Sequence, residues 1–234
     1  MTPLGIQLRL RRYASLVYQR IGLPSWSPEA RYLKQSTSPK LHIGCGHHPL
    51  DSWLNTDMHL ASKNSFYLNA TRRFPYPDNA FDYIFSEHLI EHLSYSQGRV
   101  MLDECFRVLR PGGVIRTATP DLAFVIGTYF AEPDELTKAY LDHQHKSSMP
   151  WAPADDPVYY INNFVRDWGH QFIYDRESLS RSLADSGFIE VRELPVCESS
   201  EPALCELENT TRKPREFFEL ETIVIEAQKP PVSE

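Results

Sequence analysis

Apolar positions follow a helical period near the N-terminus, change to short strand-like runs from residue 41, and then alternate between the two patterns up to residue 227. Over 4–21, Leu8, Leu16, Val17 and Ile21 are helically spaced with arginines between them, which predicts an amphipathic helix. Leu23-Pro24-Ser25-Trp26-Ser27-Pro28 breaks it, a short helix is expected over 29–34, and the Ser/Thr/Pro segment 35–39 reads as a linker. Short apolar runs at 41–43, 53–56 and 66–68 read as strands, and 81–86 has the nearly continuous apolar face of a buried parallel strand. Within 97–109, Val100, Met101, Cys105, Val108 and Leu109 share a helical face, and Pro111-Gly112-Gly113 is expected to stop that helix. A strand at 114–119 is followed much later by a helix at 176–186, with Leu179, Leu183 and Ala184 on its apolar face and Gly187 as its cap. Strands at 188–191 and 219–227 complete the pattern. Alternating strands and helices predict an α/β fold with a parallel sheet.

The segment 122–176 departs from this rhythm. It is rich in aromatics, among them Tyr140, Trp151, Tyr160, Phe164 and Trp168, and reads as a mostly helical insertion, a lid over the C-terminal edge of the sheet. The expected organisation is an N-terminal helical arm over 1–39, a main domain over 40–229 and a tail over 230–234. With 234 residues, 41% of them hydrophobic, the chain fits one globular domain.

Charge changes the picture at one end. The net charge of −7 argues against a general nucleic-acid surface. Residues 1–40, however, carry seven basic side chains against the single acid Glu29, a balance of +6, which leaves −13 for the remainder. Such an arm can dock on its own acidic body, on an anionic membrane surface or on a polyanionic substrate. No apolar run is long enough to span a bilayer. No secretory signal is read at the N-terminus, and Cys45, Cys105, Cys197 and Cys205 form no CxxC pair, so a cytoplasmic protein with free thiols is expected.

Candidate chemistry begins at Lys40-Leu41-His42-Ile43-Gly44-Cys45-Gly46. Glycines at the end of a strand let a ligand approach the backbone, although Gly-x-Gly is also an ordinary tight turn. Asp57, at the end of the next strand, can accept hydrogen bonds from a ribose diol. It lies eleven positions after Gly46, whereas a dinucleotide-binding unit places its acid ~20 residues on, which counts against a nicotinamide dehydrogenase.

Further signals follow in order: Asn69-Ala70, Phe74-x-x-Pro77-Asp78-Asn79-x-Phe81-Asp82, Glu91-His92-Leu93, and Glu104-x-x-Arg107-Val108-Leu109-Arg110-Pro111-Gly112-Gly113. With the glycine loop, they resemble the class I S-adenosylmethionine-dependent methyltransferases, and most of all the small bacterial branch often found with glycan and cell-surface polysaccharide genes. The resemblance covers about 40–227. It implies a Rossmann-like sheet of seven mostly parallel strands, the last one antiparallel, with helices on both faces. It also implies an S-adenosylmethionine site drawn from Gly44, Cys45, Gly46, Asp57, Met58, Asn69, Ala70, Ser86, Glu87 and His88, with Asp57 on the ribose and Asn69 near the adenine amine. The sequence departs from the family twice: His42 stands where many members carry an acid, and His48 replaces the third glycine. Neither these two histidines nor His47 receives a role from the sequence.

Methyl transfer to oxygen needs an in-line acceptor and a base for its proton. His92 and His170 are the candidate bases, and Asp121 is a candidate ligand for acceptor hydroxyls, with a helix N-cap as its alternative. His88-x-x-Glu91-His92 resembles the Glu-x-x-Glu-His metal motif of some O-methyltransferases; at helical spacing its three groups would share a face and could hold a divalent ion, with His170 as a further contact. The alternative is that the motif only orients the start of a helix. His143 and His145 are expected to be solvated. The aromatics of the insertion either stack on sugar faces or form the lid's own core. The expected activity is O-methylation of a sugar hydroxyl on a glycan or glycolipid precursor; methylation of another small metabolite, and a non-catalytic S-adenosylmethionine-binding regulator, stand as alternatives.

Overall fold

The computed structural model of the chain describes residues 3–60, 63–154 and 156–232; the side chains of 3–9 and of Gln19 lie outside the described set, and with them Leu8 and Arg9 of the expected amphipathic helix, as do residues 233–234 of the tail. Seven strands, β1 (Lys40–Ile43), β2 (Leu54–Asp57), β3 (Ser65–Tyr67), β4 (Phe81–Glu87), β5 (Leu109–Pro120), β6 (Ile189–Glu193) and β7 (Thr222–Gln228), form one sheet in the order β3-β2-β1-β4-β5-β7-β6. Strands β1 to β5 pair in parallel, while β7 runs antiparallel between β5 and β6. The chain steps outward from β1 to β2 and β3, then returns to place β4 on the other side of β1. That reversal opens a crevice at the C-terminal ends of β1 and β4, where open α/β sheets bind ligands. This is a Rossmann-like α/β fold with one antiparallel strand.

The helices are α1 (Pro3–Ile21), α2 (Pro28–Gln35), α3 (Tyr95–Val108), α4 (Leu122–Phe130), α5 (Glu135–Ser148), α6 (Pro157–Arg166), α7 (Arg176–Asp185) and α8 (Arg215–Glu221). The main core packs Leu41, Ile43 and Ile84 of the sheet against Met101, Leu102, Cys105 and Val108 of α3 and Leu179 and Leu183 of α7. Val100 and Ala184, expected on those faces, are exposed; Leu102 and Ser182 occupy the buried positions instead. A second core, built from Val125, Tyr140, Met149, Tyr160 and Phe164, lies inside the insertion and includes Phe217 of α8.

Two expected boundaries move. Helix α3, opened by a Ser94/Gln97 capping box, stops at Val108, and Pro111-Gly112-Gly113 lies inside β5, with Gly112 at φ +81 where the ladder shifts register against β4. The final strand starts at Thr222 rather than 219, because Phe217, Phe218 and Glu221 are buried on one face of α8, which passes straight into β7.

Helix α1 covers the outer edge at β3. Arg11 Nη1 donates to the Lys63 carbonyl at 2.5 Å, and Arg11 and Arg12 lie over the rings of Phe66 and Tyr67. Tyr32 of α2 bonds both the N–H and the C=O of Lys40, tying the arm to the start of β1. On the far side of the sheet, the buried Arg116 guanidinium is held by Glu208 (2.6 and 3.0 Å), by Glu226 (2.7 Å) and by two carbonyls, which fastens the irregular segment 194–208 to β5 and β7.

Candidate active site

Strand β1 ends in a loop that turns through Gly44 (φ +77) and Gly46 (φ +48), conformations that favour glycine. The N–H groups of Gly44 and Cys45 donate to the Thr56 carbonyl, and that of Gly46 donates to Asp57 Oδ2 at 2.9 Å. Asp57 Oδ1 accepts from His59 N, so one carboxylate ties the glycine loop to the end of β2. A Cβ built on Gly46 meets nothing within 4 Å and points into open space; one on Gly44 would press on Leu89 at 3.1 Å. Burial pushes the Cys45 thiol up to about 12, which leaves it protonated and unreactive.

Above this loop lies a cleft of about 840 Å³. Gly44, Cys45, Gly46, Asp57, Met58, Asn69, Ala70, Glu87 and His88 all line it, so nine of the positions expected for the cofactor converge. Ser86 does not: it is buried within β4, with Oγ directed to Thr117 at 3.4 Å. Asn69 lines the cleft, but its Oδ1 accepts from both N and Oγ1 of Thr71 in a local turn, so the oxygen assigned to the adenine amine is already engaged.

His42 is structural. Its Nδ1 lies 3.0 Å from Asn55 Oδ1, its ring packs 5.2 Å from that of Phe85, and Asn55 in turn bonds both backbone groups of Leu50. The histidine that departs from the family pattern therefore fixes the loop joining β1 to β2. His47 and His48 line the cleft.

A second cavity, about 330 Å³, adjoins the first; His88, His92, Trp168 and Arg212 line both. Glu91 sits at its floor, fully buried. Oε1 faces His88 Nδ1 at 3.2 Å and His92 Nε2 at 4.0 Å, and Oε2 accepts from Thr119 Oγ1 at 3.0 Å. Burial pushes this carboxyl up, but the His88 hydrogen bond and the nearby imidazoles outweigh it, so it stays below its ordinary range. His170 faces the same point, its ring 5.0 Å from that of His92. Its Nδ1 lies 2.7 Å from the Phe164 carbonyl oxygen, which can only accept. Nδ1 therefore carries the proton and Nε2 presents the lone pair. Burial holds His170 below its ordinary pKa, against the opposing pull of the Phe164 carbonyl and Glu91, so the ring is neutral near pH 7.

The expected trio His88, Glu91 and His92 does not form a metal-ligating face. His88 adopts φ +47 and only Ile90–His92 make a short 3-10 turn, so there is no helix to align positions i, i+3 and i+4. The donors that gather are those of Glu91, His92 and His170, within 4.8 Å of one another. Asp121 lies outside both cavities and caps α4, accepting from Ala123 N at 2.9 Å. His143 and His145 are half-buried rather than solvated: His143 lines the second cavity, and His145 Nε2 donates to the Ala152 carbonyl at 2.6 Å.

With this geometry in place, residues 41–117 match the family model for a methyltransferase domain. The match covers 77 of the chain's 234 residues. A 47-residue stretch is 47% identical to a probable S-adenosylmethionine-dependent methyltransferase of Mycolicibacterium smegmatis, covering 20% of this chain and 18% of that protein. Similar solved structures include a SAM dependent methyltransferase from Archaeoglobus fulgidus (16% identical, TM-score 0.48, 94% of each chain covered) and SAM-dependent methyltransferases from Methanosarcina mazei (16% identical, TM-score 0.46, 88% of this chain and 99% of that one).

Sequence reasoning missed two cations of the second cavity. Arg212 pairs with Glu87 at 3.0 Å, and Lys213 contacts Glu221. Burial, with Arg212 nearby, pulls the Lys213 ammonium down to about 8. Both residues lie in irregular chain between the Arg116 anchor and α8, with no periodic signal.

Proposed function

We propose that this protein moves a methyl group from S-adenosylmethionine to a sugar hydroxyl of a glycan or glycolipid precursor. The reading is carried by the meeting of two cavities at His88, His92, Trp168 and Arg212, with His170 lining the second of them. The residues fit the cofactor: the space above Gly46 is open, and each Asp57 oxygen, though bonded once to backbone, keeps a lone pair for a ribose hydroxyl. Bound there, the cofactor supplies a methyl group on a positive sulfonium. His170 Nε2 takes the proton of the acceptor hydroxyl, and the Glu91 carboxylate stabilises the resulting imidazolium. Trp168, half-exposed at the junction, offers an apolar face to a sugar ring, and the lid core behind it keeps water from the reacting atoms.

A second reading of the same pocket is favoured by the grouping of Glu91, His92 and His170. One carboxylate and two imidazoles, one of them held by a carbonyl at its other nitrogen, suit a first-row divalent ion. Such an ion would polarise acceptor hydroxyls.

Calorimetry with S-adenosylmethionine and a radiolabelled methyl-transfer assay on sugar acceptors test the first reading. Saturable binding with incorporation into a glycan is expected. Absence of cofactor binding overturns it, and tight binding without turnover on any acceptor favours a regulatory binding protein. Turnover that falls with a chelator and returns with a divalent ion selects the metal reading.

A further inference from the structure

Helix α1 has two unlike faces. Ser15 and Tyr18 are buried against the body, and Arg11 reaches the backbone beside β3. The opposite arc carries Leu10, Tyr13, Val17 and Ile21, which are 64, 68, 51 and 74% exposed, and the following turn adds Trp26 at 71%. Positions 10, 13, 17 and 21 fall within about 80° of one another at 100° per residue, so they form one continuous apolar stripe along the helix.

Basic side chains dominate the surroundings of this stripe; Asp78, the carboxylate that Arg73 feels, is paired with Arg107 at 2.7 Å. Arg12 and Arg20 lie on α1, and Arg72 and Arg73 are exposed on the loop that follows β3. Tyr13, Leu16, Val17, Arg20, Arg72 and Arg73 together line a surface pocket of about 450 Å³, with an apolar floor and three guanidinium groups. The first acid in the sequence is Glu29, and it is buried. The stripe thus has no carboxylate of its own segment beside it.

We infer that α1 lies in the interface of an anionic lipid bilayer, with its apolar stripe among the acyl chains and the Arg20/Arg72/Arg73 pocket on a lipid phosphate. Charge complementarity selects this occupant. A helix with an apolar arc, basic flanks and a tryptophan at its end partitions into the headgroup boundary, and guanidinium groups bind phosphate oxygens in pairs. A second copy of the chain would bring the same arginines face to face. The site also couples to the cleft: Thr71 lines the cleft and its neighbours Arg72 and Arg73 line the pocket, so the mouth of the cleft is held at the membrane surface.

The test is flotation of the full chain with large vesicles of phosphatidylcholine, with and without phosphatidylglycerol. Binding is expected only to the anionic vesicles, and it should weaken as salt is raised. Val17→Asp with Ile21→Asp, and separately Arg20→Glu with Arg72→Glu and Arg73→Glu, should each weaken partitioning by more than about tenfold. All five positions are exposed, so the melting temperature should be unchanged. The inference is overturned by equal binding to neutral vesicles, by no binding to either, by soluble glycerol phosphate competing the protein off, or by concentration-dependent dimerisation that Ile21→Asp abolishes.

Discussion

His42 shows how one side chain can serve the site without touching chemistry. Burial holds its pKa down to about 4, below the ordinary 6.5, so the folded protein keeps the ring neutral while the unfolded chain protonates it. As pH falls from 6.5 to 4 the unfolded state binds the extra proton, and roughly 3 kcal/mol of stability is lost across that window. His42→Gln keeps a donor for Asn55 and removes the titration; its denaturant midpoint should therefore decline less steeply over that range than that of the parent protein. Asp57→Ala removes an acceptor from Gly46 N and His59 N as well as from the proposed ribose contact, and should weaken S-adenosylmethionine binding about tenfold to a hundredfold in calorimetry. His170→Ala should leave that affinity nearly intact while lowering kcat about a hundredfold to ten-thousandfold and removing the acidic limb of the pH–rate profile. A full-rate variant takes His170 out of the mechanism.

Among the elements, the most motif-like stretch turns out to be architectural. Glu104 and Arg107 of α3 form a bidentate pair, and Arg107 also bonds the carbonyls of Phe74 and Tyr76 and the Asp78 carboxylate. The Glu-x-x-Arg and Pro-Asp-Asn signatures are two sides of one joint that holds the linker before β4. Such signals were legible because each is local and is fixed by helix spacing, a turn or a glycine. The segment 194–214 was not, since Arg116 and Glu208, which position it, are 92 residues apart. The last three residues of α8 read as strand because Leu220, Ile223 and Val224 run on across the helix–strand junction, and the helix before them gave no signal. His170 was legible as a residue but not as the partner of Glu91 and His92, because the missing helix at His88 changed which groups converge. Glu208→Gln weakens the hydrogen bonds to Arg116 while Glu226 still balances the guanidinium, and should cost about 1–3 kcal/mol in denaturant unfolding.

For the whole molecule, the division of cores sets how the parts are joined. Among the described residues no helix is long and apolar enough to cross a membrane, and the lid packs around its own aromatic cluster rather than extending the main one. Phe217 and Phe218 are neighbours on α8, yet the first belongs to the lid core and the second to the cluster with Ala118, Val196 and Val224 beneath β5 and β7. Glu221, one turn on, accepts from Tyr140 of the lid and begins the run into β7. One short helix therefore belongs to both cores, beside the lid's other ties to the body, the Gln171 and Phe172 N–H groups that donate to the Glu91 carbonyl. A helix shared in this way couples the fates of its two neighbours: amide exchange in α5 and α6 should rise together when Phe217→Ala loosens the joint, while β7 keeps its protection.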